Sequence, residues 1–309
     1  MRQAEIGGLL RRVDPTAVER HVRYLAEDPL PRRTLNFTLP GHEQCTLYEA
    51  DDYIASQLAG WGYQVEREAA QVQAFRRDRS KPKAHQYSPP SPDDPWYTAF
   101  NLYAKKTGTE RPEQIIVVVS HKDSQSWVAS PGANDNAIGT AANMELARVL
   151  AGVPTPCSIW FLFCNEEHTP WTSVTAAQAA RQRGDNLIAI FNLDGLGRKT
   201  YADTKAGRMT NVTLYTTPEG ERLADLMAEV NQRFSIGLDQ TKYQRPRPGD
   251  DDGSFIKAGY SAAVACIGSY PYGDPCYHCE CDVPANCDFE NAALAARAVL
   301  AAMLTVCSG

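Results

Sequence analysis

The chain has 309 residues, of which 43% are hydrophobic and 22% charged, and its formal net charge is −6 at pH 7. This composition suits one large or two ordinary globular domains, and no linker is visible, so we expect a single domain over residues 1–309. No basic stripe interleaves with aromatic residues, and we therefore expect no nucleic-acid partner. The apolar runs are too short to span a bilayer, which predicts no membrane partner.

The start of the chain and its cysteines predict a cytoplasmic protein. Arg11 and Arg12 follow a first segment that lacks the apolar stretch of a signal peptide. Nine cysteines are an odd number for a secreted chain of this size. The simplest interpretation is reduced thiols in a cytoplasm, whereas a leader removed from the chain would instead make the protein secreted.

Helices and strands alternate along most of the chain. The predicted helices are residues 46–60, 137–150, 172–183, 218–231 and 289–306, and the predicted strands are 115–120, 158–165, 187–193, 211–215 and 262–267. Residues 81–95 are rich in proline and polar residues and are predicted to form an exposed loop. The alternation predicts an α/β fold, a three-layer α/β/α sandwich with a central mixed, mostly parallel sheet.

Two adjacent carboxylates, Glu166 and Glu167, end the strongly apolar run 158–165. At the end of a buried strand the two side chains repel each other and lose hydration. A solvated acidic turn is the simpler interpretation, since glutamate is mostly exposed. A bound cation would also compensate them, because one glutamate can ligate a metal while its neighbour moves protons on a metal-bound water.

Further candidate ligands follow the other predicted strands. These residues are His121 and Asp123 after the first strand, Asp135 before the next helix, Asp194 after the third strand and His278 after the last. Each alone has an ordinary explanation, such as a hydrogen-bonded histidine or a turn aspartate. In α/β sheets, however, the carboxyl ends of the strands form the site. Two histidines and three carboxylates at one edge indicate two bridged zinc ions rather than one.

The order of these motifs resembles the co-catalytic di-zinc aminopeptidases. The motifs are His-x-Asp, Pro-Gly-Ala-Asn-Asp-Asn-Ala-Ile-Gly at 131–139, Glu-Glu, Leu-Asp-Gly, and Tyr-His with an aspartate four residues on. This is the family of bacterial leucine aminopeptidases and aminopeptidase Y, whose fold glutaminyl cyclases share. The resemblance runs from about Phe100 to the C-terminus and implies a zinc exopeptidase-like fold. It further implies two zinc ions and hydrolysis of the N-terminal bond of peptides with a free N-terminus.

The resemblance also implies a role for each matching residue. Asp135 would bridge both metals, His121 and Asp194 would complete one ion, and Glu167 and His278 would complete the other. Glu166 would be the general base on the bridging water. Asp123 would orient the His121 ring. Asp282 resembles the family aspartate that follows the last histidine and is the candidate to support His278 without binding an ion. A cis peptide bond between Asp135 and Asn136 is expected as well.

An acidic run departs from the family pattern. Where the family often has Ser-Asp-His, this chain has Asp250, Asp251 and Asp252. Asp251 matches the family aspartate and Asp252 replaces the histidine. We predict that these two residues bind a positive group of the substrate, either its amine or a basic side chain. The alternative is an acidic helix start that is stabilised by the helix dipole.

Several further residues keep open roles. Trp171 either walls the substrate pocket or belongs to the core below a helix. Tyr277 and Tyr243 are the two candidates to stabilise the oxyanion. Four cysteines surround His278, at positions 276, 279, 281 and 287. They form a structural zinc site, a local disulfide or free thiols, and the latter two are favoured because no second paired-cysteine motif exists.

Two other functions compete with the aminopeptidase. A glutaminyl cyclase would use a single zinc on the same fold, and a peptide-binding protein would have kept the fold and lost the chemistry. The intact Asn-Ala-Ile-Gly run favours the peptidase over the cyclase. All ligand candidates and the candidate base are present, which disfavours the binding protein. A metal count of two, one or none separates the three. No oligomeric state is predicted.

Overall fold

The computed structural model describes residues 1–309. Its α-helices are α1 (Gln3–Leu10), α2 (Pro15–Ala26), α3 (Thr46–Gly60), α4 (Ile138–Leu150), α5 (Thr172–Arg183), α6 (Tyr201–Lys205), α7 (Pro218–Arg233), α8 (Asp250–Lys257) and α9 (Phe289–Ser308). Its strands are β1 (Val65–Ala74), β2 (Arg76–Arg77), β3 (Tyr87–Ser88), β4 (Tyr97–Lys106), β5 (Arg111–His121), β6 (Cys157–Cys164), β7 (His168–Thr169), β8 (Asn186–Leu193), β9 (Thr210–Tyr215), β10 (Asp239–Gln244) and β11 (Ala263–Ile267).

Nine strands form one sheet in the order β10-β9-β11-β8-β5-β6-β4-β1-β7. The four central strands β11, β8, β5 and β6 are parallel to their neighbours within this group. The sheet turns antiparallel on either side of them, where β9 joins β11 and β4 joins β6. The predicted mixed sheet is confirmed, and its parallel centre brings several strand ends to one edge.

The central strand β5 packs against helices on both of its faces. Ile116 and Val118 lie in the larger apolar cluster, which also contains the buried faces of α2, α4 and α9. Val117 and Val119 point the other way, into a smaller cluster that includes residues of α5 and α8. Successive side chains of a strand alternate between its faces, so a strand buried on both sides must be apolar throughout. This arrangement is the predicted three-layer sandwich.

Local sequence signals explain where the helices begin and end. Asp14, Thr217 and Asp288 precede α2, α7 and α9, and each side chain accepts a hydrogen bond from a first-turn N–H. Gly184 ends α5 in the left-handed conformation, with φ 74°. The predicted bounds of α3 and α5 therefore agree with the observed ones.

The longest helix, α9, is a core helix. It is long and apolar enough to cross a membrane by length and composition, yet 78% of its most apolar 18-residue stretch is buried inside the protein. The expectation that no segment reaches this length was therefore wrong for α9. Its neighbours in the fold supply the apolar surroundings that a bilayer would otherwise provide.

Two disulfides correct the expectation of reduced thiols. Cys157 at the start of β6 is bonded to Cys307 near the end of α9. Cys276 is bonded to Cys281 in the loop that carries His278, which is the local-disulfide alternative. The other five cysteines are unpaired. Disulfides are typical of oxidising compartments, so the cytoplasmic prediction loses the support that reduced thiols gave it.

Candidate metal centre

The five predicted ligand residues converge at the edge where the parallel strands end. His121 Nε2 lies 3.1 Å from Asp135 Oδ1 and 3.7 Å from Asp194 Oδ1. His278 Nε2 lies 3.0 Å from Asp135 Oδ2 and 3.1 Å from Glu167 Oε1. They form two clusters that share Asp135, and in each cluster the candidate ligand atoms lie within 4.8 Å of one another.

The chemistry of these clusters suits cations. Burial opposes a charge on His121, but hydrogen bonds to Asp123 and Asp135 outweigh it and raise its pKa well above the usual value. Burial likewise opposes a charge on His278, but Glu167 and Asp135 raise its pKa. The crowded carboxylates thus favour positive charge at both imidazole positions. Each cluster offers one imidazole and two carboxylates, a donor set that suits zinc once the imidazole is neutral.

Asp135 lies in a tight turn, Ala133–Ala137, between β5 and α4. Gly132 precedes it with φ 62°, and a Cβ there would lie 2.5 Å from the Asp135 carbonyl oxygen. The Asn136 amide donates to the carbonyl of Leu193 at 2.8 Å, and a Cβ at Gly139 would meet the same carbonyl at 2.2 Å. The peptide bond between Asp135 and Asn136 is cis, as the resemblance implied. The motif therefore docks Asp135 closely against the end of β8.

Asp282 supports Asp135 rather than His278. Its two carboxylate oxygens accept hydrogen bonds from the main-chain N–H groups of Asn134, at 2.8 Å, and of Asp135, at 3.0 Å. Burial raises the pKa of Asp282 to about 7. Asp282 therefore supports Asp135, the residue that the two clusters share.

The loop at residues 81–95 reaches the centre. His278 Nδ1 donates to the carbonyl oxygen of Ala84 at 2.8 Å, which directs Nε2 toward the carboxylates. The rings of Trp127 and Tyr87 pack edgewise against His278, with centroid separations of 5.1 and 6.2 Å. The sequence predicted this loop only as an exposed connection. It contains a short 3₁₀ turn, Lys83–His85, and it also fixes a candidate ligand.

Asp123 lies behind His121 as predicted. Its carboxylate accepts from His121 Nδ1 at 3.3 Å and from His168 Nδ1 at 2.8 Å. Burial alone would raise its pKa, but these two histidines outweigh burial and hold the pKa well below its usual range. His168 is itself fully buried. His168 therefore helps to hold the carboxylate that orients His121.

Glu166, the predicted base, has one carboxylate oxygen without a partner. Its side chain is half-buried, and its Oε2 atom has no hydrogen-bond partner. Burial, together with the charges of Asp251 and Asp250, raises its pKa well above the usual value. The unpartnered oxygen leaves the side chain free to accept a proton.

The acidic run has a cationic partner within the chain. Arg245 Nη1 lies 2.7 Å from Asp250 Oδ2, and its Nη2 forms an ion pair with the fully buried Asp252. Asp252 is thus paired within the chain, whereas we predicted a positive group of the substrate as its partner, and its Oδ1 atom is buried without a hydrogen-bond partner. Asp251 is also fully buried, but neither of its oxygens has a hydrogen-bond partner, and burial raises its pKa to about 7.

The two candidate tyrosines lie in different places. Tyr277 stacks on the ring of His278, with centroids 3.7 Å apart, and is half-buried beside the centre. Tyr243 lies on the edge strand β10, is 40% exposed and stacks on Tyr270. The structure thus brings only Tyr277 to the candidate ligands. Trp171 is half-buried directly before α5.

Two residues that sequence reasoning missed hold the centre together. Gln125 Nε2 donates to Asp135 Oδ2 at 2.8 Å and to Glu167 Oε1 at 3.0 Å. Arg33 is fully buried and donates to main-chain carbonyls on both sides of the loop, including Lys122 at 2.6 Å and Gly132 at 2.8 Å. The only signal for Gln125 was its position two residues after Asp123, and Arg33 had none.

The fold and the two ligand clusters together define an α/β metalloenzyme. Residues 101–303 match the model of peptidase family M28, and the chain belongs to this family.

Solved structures agree with this fold. An aminopeptidase from Aneurinibacillus sp. strain AM-1 superposes with a TM-score of 0.72 at 17% identity, over 96% of this chain and 95% of that one. A glutaminyl cyclase from Bacteroides thetaiotaomicron gives a TM-score of 0.69 at 16% identity, over 94% and 97%. Both activities thus occur on this fold.

Curated relatives match part of their own length. A probable zinc metalloprotease of Pyricularia oryzae is 34% identical over 200 residues, 53% of this chain and 39% of that protein. The probable aminopeptidase YDR415C of Saccharomyces cerevisiae is 29% identical over 173 residues, 52% of this chain and 45% of that protein. The matched region spans less than half of either relative.

Proposed function

We propose that this protein is a di-zinc aminopeptidase that hydrolyses the N-terminal peptide bond of peptides. The observation that carries the proposal is the pair of ligand clusters that share Asp135, next to Glu166 with its unpartnered oxygen. Membership of peptidase family M28 and the similarity to the probable aminopeptidase YDR415C support it.

The residues of the chain divide the chemistry among themselves. Zinc bound at the clusters would lower the pKa of a water and polarise the peptide carbonyl. Glu166 accepts the proton of the attacking water at Oε2 and returns it to the leaving amine. Tyr277, stacked on His278, donates its hydroxyl hydrogen to the carbonyl oxygen as negative charge develops there.

Unpaired carboxylates explain a preference for a free N-terminus. Asp251 is buried, lacks a hydrogen-bond partner and lies close enough to Glu166 to affect its pKa. Burial also raises the pKa of Asp194, to about 6. Such carboxylates gain most from a positive group that arrives with the substrate. The α-ammonium supplies this charge, and Trp171 at the start of α5 would wall the side-chain pocket.

The number of available donors favours two zinc ions over one. A cyclase with a single zinc would leave one of the two clusters with uncompensated carboxylates. In this chain His121 and Asp194 complete one cluster with Asp135, and Glu167 and His278 complete the other. A binding protein without chemistry would not need the free oxygen of Glu166. These observations support the aminopeptidase over both rivals.

The test is a metal count combined with a substrate panel. We expect two zinc equivalents per chain and release of aniline from aminoacyl-anilides. The same anilide with an acetylated amine serves as the matched control and should not react. A single zinc with cyclisation of N-terminal glutamine would support the cyclase instead. Absence of metal with retained peptide binding would support the binding protein.

A further inference from the structure

A cavity of about 190 Å³ opens beside the metal centre. The residues of its lining that matter here are Arg32, Asn36, Phe37, Arg77, Gln125 and Trp127. Because one water takes about 30 Å³ of liquid volume, the space holds a small polar group with its adjoining carbon atoms.

Two side chains join this cavity to the metal centre. Gln125, which lines it, donates to Asp135 at 2.8 Å and to Glu167 at 3.0 Å. Trp127, also in the lining, packs edgewise on His278 with centroids 5.1 Å apart. The cavity therefore lies one side chain away from the cluster of Asp135, Glu167 and His278.

The lining supplies hydrogen-bond donors and positive charge. The Arg32 guanidinium stacks 3.6 Å from the centroid of the Phe37 ring and forms no ion pair. The nearest carboxylate to the Arg77 guanidinium is that of Glu280, at 3.8 Å. The other side-chain hydrogen bond of Arg77 is to a neutral group. Trp127 is only 8% exposed, and its buried indole N–H has no hydrogen-bond partner. A buried donor without an acceptor is costly, and together with the positive charge of the half-buried Arg32 and the exposed Arg77 it favours an anionic acceptor.

Arginine side chains that stack on aromatic rings bind planar groups well. An arginine guanidinium presents a rigid fork that matches a carboxylate with two parallel hydrogen bonds. Stacking on Phe37 holds the Arg32 fork in one plane, which reduces the entropy lost when a carboxylate binds. A peptide chain spans about 3.3–3.6 Å per extended residue, and we place two or three such residues between the metal centre and the cavity.

We propose that this cavity binds a substrate carboxylate and that the enzyme prefers di- and tripeptides with a free C-terminus. The inference rests on the proposed aminopeptidase function, because that function places the substrate's N-terminus at the metal centre. An acidic side chain at the second position would present the same chemical group. The cavity then sets the length of the peptide that is cleaved best.

The test compares peptides that differ only in their terminal group. Leu-Gly-Gly and its C-terminal amide are each incubated with the zinc-loaded enzyme, and kcat/KM should favour the free acid by about 10- to 100-fold, the range expected for charge-assisted hydrogen bonds. The amide of Leu-Glu-Gly shows whether a side-chain carboxylate substitutes for the terminal one. The preference should shrink in high salt, since exposed charges are then screened.

Variants assign the preference to the cavity. Arg32→Gln and Arg77→Gln should reduce the acid-to-amide ratio to within about two-fold while leaving the rate on leucyl-anilide, which lacks a carboxylate, unchanged. Arg32→Lys keeps the charge but loses the fork, and should retain part of the ratio. Arg79→Gln, two residues after Arg77 but outside the lining, is the matched control and should keep the full ratio.

Two results would overturn the carboxylate site. One is an equal kcat/KM for acid and amide in the wild-type enzyme, and the other is a ratio that survives in both Arg32→Gln and Arg77→Gln. In either case cleavage of leucyl-anilide would leave the aminopeptidase function standing. Should none of the substrates be cleaved, calorimetric titration of the zinc-loaded protein with the same acid and amide decides the matter, and equal affinities would reject the site.

Discussion

The carboxylate of Asp123 accepts a hydrogen bond from the main-chain N–H of Glu166 at 2.9 Å. Its other oxygen accepts from the N–H of Glu167, also at 2.9 Å, while His121 and His168 donate from the sides. One buried side chain therefore orients a ligand of the first cluster and holds the backbone that carries the proposed base and a ligand of the second. Asp123 couples the ends of β5 and β6.

Replacing Asp123 with Asn should weaken zinc binding by about 10- to 100-fold, a loss typical of residues that orient metal ligands. An amide offers one acceptor oxygen where the carboxylate offers two, so some of the four donors lose their partner. Competition with a chelator measures the affinity. Asp93→Asn, an exposed carboxylate on the loop before β4, is the control. Wild-type zinc affinity in the Asp123 variant would contradict the coupling role.

Glu166 and Glu167 should differ in what their loss removes. Glu166→Gln should lower turnover by about 10²–10⁴-fold with both ions retained, since only the proton carrier is lost. Glu167→Gln should lose or weaken one ion, because its Oε1 atom lies with Asp135 and His278 in the second cluster. Zinc content and kcat, measured together, check both expectations. If Glu166→Gln lost an ion while Glu167→Gln kept both, the roles of the two residues would be reversed.

The central part of the fold was predictable because it is buried on both faces. Strands such as β5 and β6 are continuous apolar runs, and a polar residue directly after such a run stands out. The rule that strand ends form the site then placed His121 and Glu167 on the same edge. Long, apolar or well-capped elements carry their own signal, as α5 does with Gly184 at its end.

The parts that were missed depend on contacts distant in sequence or on polar strands. The edge strand β10 is mostly exposed, so no apolar period marks it. The bond from His278 to Ala84 joins residues 194 positions apart, and no local pattern encodes it. Asp252 looked available because its partner, Arg245, lies in an unremarkable loop segment. Such pairings follow from tertiary packing, which a single sequence does not display.

A buried ion pair should stabilise the segment that directly follows His121. Lys122 Nζ lies 2.9 Å from Asp51 Oδ1 and donates to Asn165 at 2.7 Å, and Lys122 and Asp51 are fully buried. Removing either partner leaves an uncompensated charge, so Asp51→Leu or Lys122→Met alone should cost about 3–5 kcal/mol in the free energy of unfolding. The double variant should be less destabilised than either single one in urea titrations. Additive losses would contradict this coupling.

His21 should make the protein sensitive to acid. Burial lowers its pKa from 6.5 to about 4, while Tyr53 contacts its Nδ1 at 2.7 Å. The unfolded chain then binds a proton that the folded chain refuses between these values, so stability present above pH 6.5 is lost as the pH falls toward 4. Its share of the loss between pH 7 and pH 4 is about 3 kcal/mol.

The variant His21→Gln isolates this contribution. The difference in unfolding free energy between pH 7 and pH 4 should shrink by about 3 kcal/mol relative to the wild type. His85→Gln, on the exposed loop, is the control and should keep the wild-type pH profile. An unchanged profile in the His21 variant would mean that other groups account for the acid sensitivity.

Asp251 and Asp252 are adjacent, yet their replacements should have opposite consequences. Asp252→Asn removes the buried partner of Arg245, so it should cost about 3 kcal/mol in stability and leave KM for leucyl-anilide unchanged. Asp251→Asn removes a buried carboxylate without a hydrogen-bond partner. This change should raise KM about 10- to 100-fold if Asp251 receives the α-ammonium, with stability unchanged or improved because an unpaired buried charge is lost.

Thermal unfolding and steady-state kinetics on both variants separate the two effects. A wild-type KM in Asp251→Asn, accompanied by a lower melting temperature, would assign Asp251 to the start of α8 and remove it from substrate binding.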